Sequence, residues 1–383
     1  MENTPNNKLV NWQDCMNVSA LHFRQTEDFF LNYISNAFKL SLLPGVYGFI
    51  PSSGFDLEQM IRISGKADDS INIEVLFCNA ITPSGILLKY NSEADGYKLN
   101  AGFKGGKEEN KYPSKIQFWN IILTAEPFKR SPAGELDPME TPPRQPDVDF
   151  SYSLAIAPSF GSEMKIKGHS LIIGRIRKSS QHYEIDHNYI PACITMGVNE
   201  ALKSYYHQFS DLLHSLIRNS KTILSKIYNS GREQVLAYNI GLVCKEVLRF
   251  SSGIYFDFKN NGLKEAPLKT VNYFSSLAHT LYVSLSFFKE SDKEELLKYF
   301  YEWSDVTPGS FEEILTDMVD LDYDPENLRT VMLQVEVFLR VLSELWGKLS
   351  QLEFIGKHKE NIVVSERIQM TGKESKTGYT FLD

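Results

Sequence analysis

The sequence from residue 328 to 352 carries apolar side chains at alternating spacings of three and four residues. This heptad spacing places them along one face of an α-helix and is typical of coiled coils and left-handed helical bundles. Asp324 and Pro325 precede the pattern as a helix cap and a first helical residue. The residues of this seam are Leu328, Val331, Val335, Phe338, Leu342, Leu345, Leu349 and Leu352. A second stripe of Met332, Leu339 and Trp346 widens the apolar face enough to contact two neighbours.

The same spacing predicts a second long helix over residues 199–228, roughly 45 Å long at 1.5 Å per residue. Two further helices are predicted over residues 232–250 and 265–288. The seam of the 199–228 helix consists of Leu202, Tyr205, Phe209, Leu212, Leu216 and Asn219, followed by Ile223. Asparagine at a heptad core position selects register and oligomer state. The other interpretation is that the seam has drifted and that Asn219 faces water. Both seams together predict a bundle that also buries surface between subunits.

The chain before about residue 195 follows a different period. A helix from about Ser19 to Leu40, ended by Pro44 and Gly45, precedes segments in which apolar and polar residues alternate. Such alternation puts each apolar set on one face of a sheet. The clearest sets are Ile71, Ile73, Val75 and Phe77; Trp119, Ile121 and Leu123; and Phe150, Tyr152, Leu154 and Ile156. Many short strands between turn signals indicate a sandwich or barrel.

These two periods predict an α+β protein with more than one domain. Residues 1–194 form an antiparallel β-sandwich, residues 195–354 an elongated helical bundle, and residues 355–383 a short polar tail. Residues 126–149 contain six prolines, which cannot donate to a strand ladder. We therefore predict that this segment is a long extended loop.

Composition narrows the possible partners. The net charge is −8 and the basic residues are scattered, which is unlike a nucleic-acid-binding protein. The four cysteines are far apart and form no close pair, so they are expected to be reduced thiols and not zinc ligands. The N-terminus is polar, and no stretch approaches the roughly 18 apolar residues of a membrane span. We expect a cytoplasmic protein that does not insert into a membrane.

No motif for catalysis, cofactor binding or metal binding is recognised. The loop around Gly102 is one residue too short for a phosphate-binding motif and continues with a glutamate. The acidic residues at 320, 322 and 324 lack the glycine and glutamate of a calcium loop. We therefore predict that the chain is not an enzyme and has no cofactor. A carbohydrate-active enzyme on a β-sandwich stays open as an alternative, since it needs only two carboxylates about 5–10 Å apart.

Several segments, taken in order, form a combined pattern. The first contains Val10, Trp12, Met16, His22, Phe23 and Gln25. The others are Tyr47-Gly48, Pro142-Pro143-Arg144, and the segments 171–176 and 189–194. Together they resemble the TssK family of type VI secretion baseplate subunits. The sequence departs from the family at Cys15, Ala20 and Arg24, where the family tends to have glycine, proline and glutamine.

The resemblance implies a trimer whose subunits have a β-sandwich shoulder and a helical neck. It also implies that the shoulder binds the wedge proteins TssF and TssG, and the six N-terminal residues are the candidate wedge-binding interface. The two seams are then the candidate neck and trimer contact. The family's C-terminal head has no room after the last seam, so we expect a short variant of the family. Its tail is a candidate contact with a membrane complex. A phage-type receptor-binding or tail adaptor is the alternative with similar architecture.

Overall fold

The computed structural model describes residues 8–43, 45–51, 57–65, 70–104, 118–159, 168–179, 182–230, 234–304 and 306–359. The chain divides into two compact units. The sheet unit consists of Met1–Ser204, Leu263–Lys269 and Tyr323–Val331, and the helical unit consists of Tyr205–Gly262, Thr270–Asp322 and Met332–Asp383. Strands dominate the N-terminal region and helices the C-terminal region, which confirms the predicted α+β class.

The first helix, α1, runs from Ala20 to Ser41. Ser19 precedes it in an extended conformation, as the sequence predicted for a helix cap. Beyond the helix, Leu42 returns to an extended conformation and Gly45 adopts a positive φ of 80°. The Cβ of any other residue at position 45 would be strained in this conformation, so the glycine supports the end of the helix.

The strands of the sheet unit form three antiparallel sheets. The strands are β1 (Gly48–Phe49), β2 (Ile61–Gly65), β3 (Ile71–Val75), β4 (Phe77–Ile81), β5 (Leu87–Asn91), β6 (Leu99–Phe103), β7 (Phe118–Ala133), β8 (Asp147–Pro158), β9 (Ser170–Ser179) and β10 (His182–Ile185). Their orders in the sheets are β1-β4-β5, β2-β3-β6 and β10-β9-β7-β8. The short helix α2 spans Leu57–Met60. The alternation in β3 buries Ile71, Ile73 and Val75, as predicted. Phe77, which the sequence placed in the same strand, instead begins β4 and is half-buried.

Aromatic side chains join these sheets face to face. Phe103 of β6 lies 5.3 Å from Trp119 of β7 and 5.4 Å from Tyr183 of β10, measured between ring centroids. Tyr90 of β5 lies 6.0 Å from Tyr152 of β8. Such offset and edge-on pairs stabilise packed layers beyond the apolar area that they bury. The sheet unit therefore has the packed-sheet core of a sandwich.

The predicted loop over residues 126–149 differs from the structure. β7 continues to Ala133 and β8 begins at Asp147, so the two strands form an antiparallel ribbon and the connection is confined to residues 134–146. Pro127 falls where the register shifts between Glu126 and Arg130, and Pro132 lies opposite Val148. Beyond Thr124, β7 pairs with β8 on one side and no longer with β9. Proline is tolerated at such bulges and one-sided positions, which is why the prolines did not exclude a strand.

Two segments of the family resemblance meet in the sheet unit. The N–H of Phe49 donates to the carbonyl of Ala192 at 2.8 Å, and the N–H of Ile194 donates to the carbonyl of Phe49 at 3.0 Å. Gly48 has a φ of 115°, and a Cβ at this position would lie 1.9 Å from the carbonyl oxygen of Ala192. Only glycine fits so close an approach, which explains the Tyr-Gly pair physically.

The helices of the C-terminal region are α3 (Glu200–Asn229), α4 (Val235–Asn261), α5 (Pro267–Ser286), α6 (Glu290–Ser304), α7 (Pro308–Val319) and α8 (Leu328–Gln351). The predicted helices at 199–228, 232–250 and 265–288 correspond to α3, α4 and α5, although α4 extends further. Asp324 caps a 3-10 turn over Pro325–Asn327 that leads into α8, and its carboxylate accepts the N–H of Glu326 at 2.9 Å. Within the described residues, no helix is long and apolar enough to cross a membrane.

Candidate protein-protein interface

An aromatic cluster lies at the start of α1. The ring centroid of Trp12 is 6.0 Å from that of His22 and 6.0 Å from that of Phe23. Trp12 is 49% exposed and Phe23 is 57% exposed. These two side chains therefore do not pack into the core of the sheet unit and are accessible to a partner.

His22 also closes the first turn of α1. The backbone N–H of Ser19 donates to Nδ1 of His22 at 3.1 Å, and the N–H of His22 donates to the carbonyl of Ser19 at 3.1 Å. The ring thus satisfies a backbone donor that a helix start leaves without an intrahelical partner. Of the other predicted interface residues, Val10 and Met16 are half-buried in the preceding turns and Gln25 is exposed on α1.

An arginine of the ribbon holds α1 to the sheet unit. Nη2 of Arg130 donates to Oδ1 of Asp28 at 2.5 Å, and Nη1 donates to Oε2 of Glu27 at 2.6 Å. The side chain of Arg130 is only 17% exposed, so this charged contact is partly shielded from water. A charge-assisted contact of this kind is stronger than a neutral hydrogen bond. It holds the first half of α1 near the ribbon.

The second half of α1 is held by a turn between β4 and β5. The hydroxyl of Ser35 donates to the carbonyl of Ser84 at 2.6 Å. Gly85 has a φ of 82°, and a Cβ there would lie 2.5 Å from the carbonyl oxygen of Ser35. The turn residue can therefore approach the helix backbone only as glycine.

These contacts leave an apolar stripe of α1 uncovered. Phe23, Phe30, Ile34 and Phe38 recur at spacings of seven and four residues, which places them along one side of the helix. They are 57%, 50%, 50% and 51% exposed, over roughly 22 Å of helix. We name these four residues the α1 stripe. Sequence reasoning singled out only Phe23, although the spacing of the other three was already visible.

The predicted seam residues lie in the interior of the single chain. Leu212 is half-buried. The buried ones are Leu202, Tyr205, Phe209, Leu216, Asn219, Leu328, Val331, Val335, Phe338, Leu342, Leu345 and Leu349. The buried position of Asn219 rules out the interpretation in which it faces water. Because these side chains are covered by their own chain, a contact between subunits needs other residues of the helices.

Asn219 faces α8 within the helical unit. Its side-chain oxygen accepts the hydroxyl of Ser350 at 3.4 Å, and its side-chain nitrogen donates to the hydroxyl of Ser215 at 3.4 Å. Gly347 lies beside it, since a Cβ on that residue would be 3.8 Å from the Asn219 nitrogen. The amide thus sits opposite small residues of α8 and makes two long hydrogen bonds.

Across the ranges that the structure describes, no three His, Cys, Asp or Glu side chains converge to hold a metal ion. The sheet unit does expose several large aromatic and aliphatic side chains, those of α1 among them. Surfaces of this composition bind other proteins, with aromatic side chains as anchors.

The fold defines an α+β protein in which antiparallel sheets precede a set of long helices. A solved structure described as the crystal structure of TssK has this fold: it is 15% identical, the match covers 88% of this chain and 69% of that chain, and the TM-score is 0.52. A chain of the baseplate complex from the type VI secretion system also has it, at 12% identity over 88% of this chain and 99% of that chain, with a TM-score of 0.52. No family model and no curated protein matches the sequence. The chain is TssK-like in fold, as its motifs predicted.

Proposed function

We propose that this chain is a structural component of a type VI secretion baseplate, and that it acts as a homotrimeric adaptor and not as an enzyme. The observation that carries the proposal is the α1 stripe, an exposed aromatic surface held out from a TssK-like fold. A chain of a solved baseplate complex shares the fold. An adaptor needs this kind of rigid, apolar surface and needs no reaction centre.

The partners that we assign to the surface are the wedge proteins TssF and TssG. The α1 stripe and the cluster of Trp12, His22 and Phe23 are adjoining parts of one surface, since Phe23 belongs to both. Trp12 is a suitable anchor because a large, half-exposed aromatic side chain gains most from being covered. The charged contact of Arg130 with Asp28 and Glu27, which we name the α1 clamp, orders the helix before binding. This order reduces the conformational entropy that is lost when a partner docks.

Co-purification of the chain with TssF and TssG tests this assignment. We expect Phe30→Asp with Ile34→Asp to abolish the complex and Trp12→Ala to weaken it, while circular dichroism and the thermal midpoint stay close to those of the native chain. Phe287→Asp is the matched control, because Phe287 is 82% exposed but lies in the helical unit. Equal binding by the stripe variant and the native chain would rule out the stripe as the wedge interface. Binding to bacterial cells in place of the wedge proteins would favour the phage-type adaptor.

The trimer is tested separately by light scattering. A single chain has a mass of 43.8 kDa, so three chains give about 131 kDa. A mass of one chain at all concentrations would overturn the trimeric adaptor while leaving a monomeric binding role open.

The proposed site of action is the cytoplasmic side of the inner membrane. We assign residues 355–383 to contact a membrane complex there. Most of that segment, residues 360–383, lies outside the described residues.

A further inference from the structure

The chain turns back onto its own helices after α8. The N–H of Gly356 donates to the hydroxyl of Tyr299 on α6 at 3.1 Å. Gly356 has a φ of 83°, and a Cβ there would lie 2.9 Å from the backbone nitrogen of Ala237 at the start of α4. Ile355 beside it is only 7% exposed. All these residues belong to the helical unit, and they fix the path of the chain as it leaves α8.

The start of this turn is also held. Nζ of Lys226 on α3 donates to the carbonyl of Ser350 at 2.8 Å and to the carbonyl of Leu352 at 2.7 Å. The last carbonyls of a helix have no intrahelical donor, and a cation beside them also interacts favourably with the helix dipole. Lys226 therefore closes the C-terminal end of α8, and the turn begins from a fixed point.

An imidazole lies between two carboxylates at the far end of the turn. Nδ1 of His358 is 2.5 Å from Oε1 of Glu302, and its Nε2 is 3.9 Å from Oε1 of Glu295. The backbone N–H of Lys359 donates to the second oxygen of Glu302 at 3.4 Å. The His358 ring meets the ring of Tyr299 edge-on, with 5.8 Å between centroids. Four contacts of two consecutive residues thus converge on α6.

The ionisable groups around the imidazole are of two kinds. Glu295, Glu302 and Tyr299 face it from α6, and Lys357 and Lys359 flank it in the sequence. Burial raises the pKa of Tyr299 to about 12, so its hydroxyl stays protonated and can accept the Gly356 N–H over the physiological range. Histidine is the side-chain type whose charge changes between about pH 5 and pH 8. His358 is the one histidine among the groups named above.

We propose that residues 355–359 form a proton-operated latch that holds the end of α8 against α6. An imidazolium has two N–H donors and a positive charge, so it hydrogen-bonds to Glu302 and attracts Glu295 at the same time. The neutral ring has one N–H and no charge, so it keeps at most the contact with Glu302. Uptake of one proton from solvent closes the latch, and loss of that proton loosens it and uncovers Ile355. Residues 355–359 also belong to the segment that the proposed function assigns to a membrane complex, but the latch and its test do not depend on that assignment.

The latch determines where the last described residues of the chain lie. A closed latch holds residues 355–359 against α6 through His358 and Lys359. An open latch returns these residues to solvent and exposes Ile355, which is buried when the latch is closed.

Hydrogen–deuterium exchange of the full-length chain tests the latch. Exchange of peptides covering residues 353–359 is measured at about pH 5.5 and about pH 8 and corrected for the intrinsic pH dependence of exchange. We expect the amides of Gly356 and Lys359 to be about threefold to tenfold better protected at the lower pH. His358→Gln should remove that pH dependence, and Glu302→Gln should lower protection at both pH values.

His214→Gln is the matched control, since His214 is an exposed histidine of α3 in the same unit. It should keep the full pH dependence of the 353–359 peptides. Protection that is equal at both pH values in the native chain would overturn the latch. Retention of the pH dependence in His358→Gln would overturn it as well, because the proton would then act elsewhere.

Discussion

The guanidinium of Arg130 on β7 binds the carboxylate of Asp28 on α1 at 2.5 Å, although the two residues are 102 positions apart in the sequence. The same guanidinium binds Glu27 at 2.6 Å. The ribbon of β7 and β8 supplies the arginine, so this contact ties the first half of α1 to the ribbon. Glu27 lies between Phe23 and Phe30 along the helix, so the charged contact is beside the α1 stripe and helps to hold the proposed binding surface in place.

Replacing Arg130 by methionine is expected to loosen α1. The substitution keeps an unbranched apolar stem and removes the guanidinium donors, leaving Asp28 partly buried without its partner at a cost of about 1–3 kcal/mol. Hydrogen exchange of the amides of α1 should become faster, and the thermal midpoint should fall. Arg249→Met is the matched control, because Arg249 pairs with Glu246 while 77% exposed and such pairs contribute little. An unchanged exchange rate of α1 in the Arg130→Met variant would show that the α1 clamp does not hold the helix.

Part of this architecture could be predicted and part could not. The heptad spacing identified α3 and α8, and the period of two identified β3, because burial of a regular element leaves a regular pattern. α6 and α7 were not predicted, since short helices without a sustained seam give a weak signal. The contact between Arg130 and Asp28 leaves no local pattern at all. A heptad seam has the same sequence pattern whether it packs within one chain or between chains. Only the structure could therefore show that Phe338 and its neighbours are buried within the single chain.

Cys15 provides a prediction about backbone strain. It is a non-glycine residue with a φ of 62°, and its side chain is exposed. The left-handed conformation costs a side-chain-bearing residue roughly 1–2 kcal/mol, which glycine avoids. The glycine that the TssK family tends to have at this position fits the conformation. We expect Cys15→Gly to slow hydrogen exchange in residues 10–18 by about tenfold, while Cys15→Ala gives no gain. Equal effects of the two variants would show that the thiol and not the backbone matters.

The pair of Tyr47 and Glu326 gives the sheet unit a pH-dependent stability. The hydroxyl of Tyr47 donates to Oε1 of Glu326 at 3.3 Å. Burial, followed by repulsion from Asp324, raises the pKa of Glu326 above its ordinary value of 4.5. The folded state therefore binds this proton more tightly than the unfolded state, and the associated stability is lost as the pH rises from the unfolded pKa through the folded one.

Glu326→Gln is expected to remove that part of the pH dependence. Glutamine still accepts the Tyr47 hydroxyl but carries no charge to desolvate, so the variant should be at least as stable as the native chain at pH 7. Tyr47→Phe should do the opposite, since it removes a donor to the carboxylate and makes the loss of stability with pH steeper. Urea unfolding between about pH 4 and pH 7 measures both slopes. A Glu326→Gln variant with the native slope would assign the pH dependence to another group.

Asn219 offers a test of what a buried amide contributes. Its two hydrogen bonds are long, at 3.4 Å each, and Ser350 retains a shorter one to the carbonyl of Gly347 at 2.8 Å. We expect Asn219→Leu to stabilise the helical unit by about 0.5–2 kcal/mol, because an apolar side chain of similar volume replaces a poorly satisfied polar group. Thermal unfolding measures the gain. A loss of stability would mean that the amide holds the register of α3 against α8 more strongly than its distances indicate.

The burial of Phe338 separates the core of the helical unit from any contact between subunits. Phe338 is 1% exposed within one chain, whereas Leu333 and Val337 on the same helix are 43% and 52% exposed. Phe338→Ala should cost about 3–5 kcal/mol by opening a cavity, with a thermal midpoint that does not depend on protein concentration. Leu333→Asp with Val337→Asp should leave the fold intact and reduce the mass seen by light scattering if α8 contributes to the trimer. The opposite result would be a smaller mass for a folded Phe338→Ala variant and an unchanged mass for the double aspartate variant. It would mean that the seam residues form the contact between subunits, and it would contradict a core within the single chain.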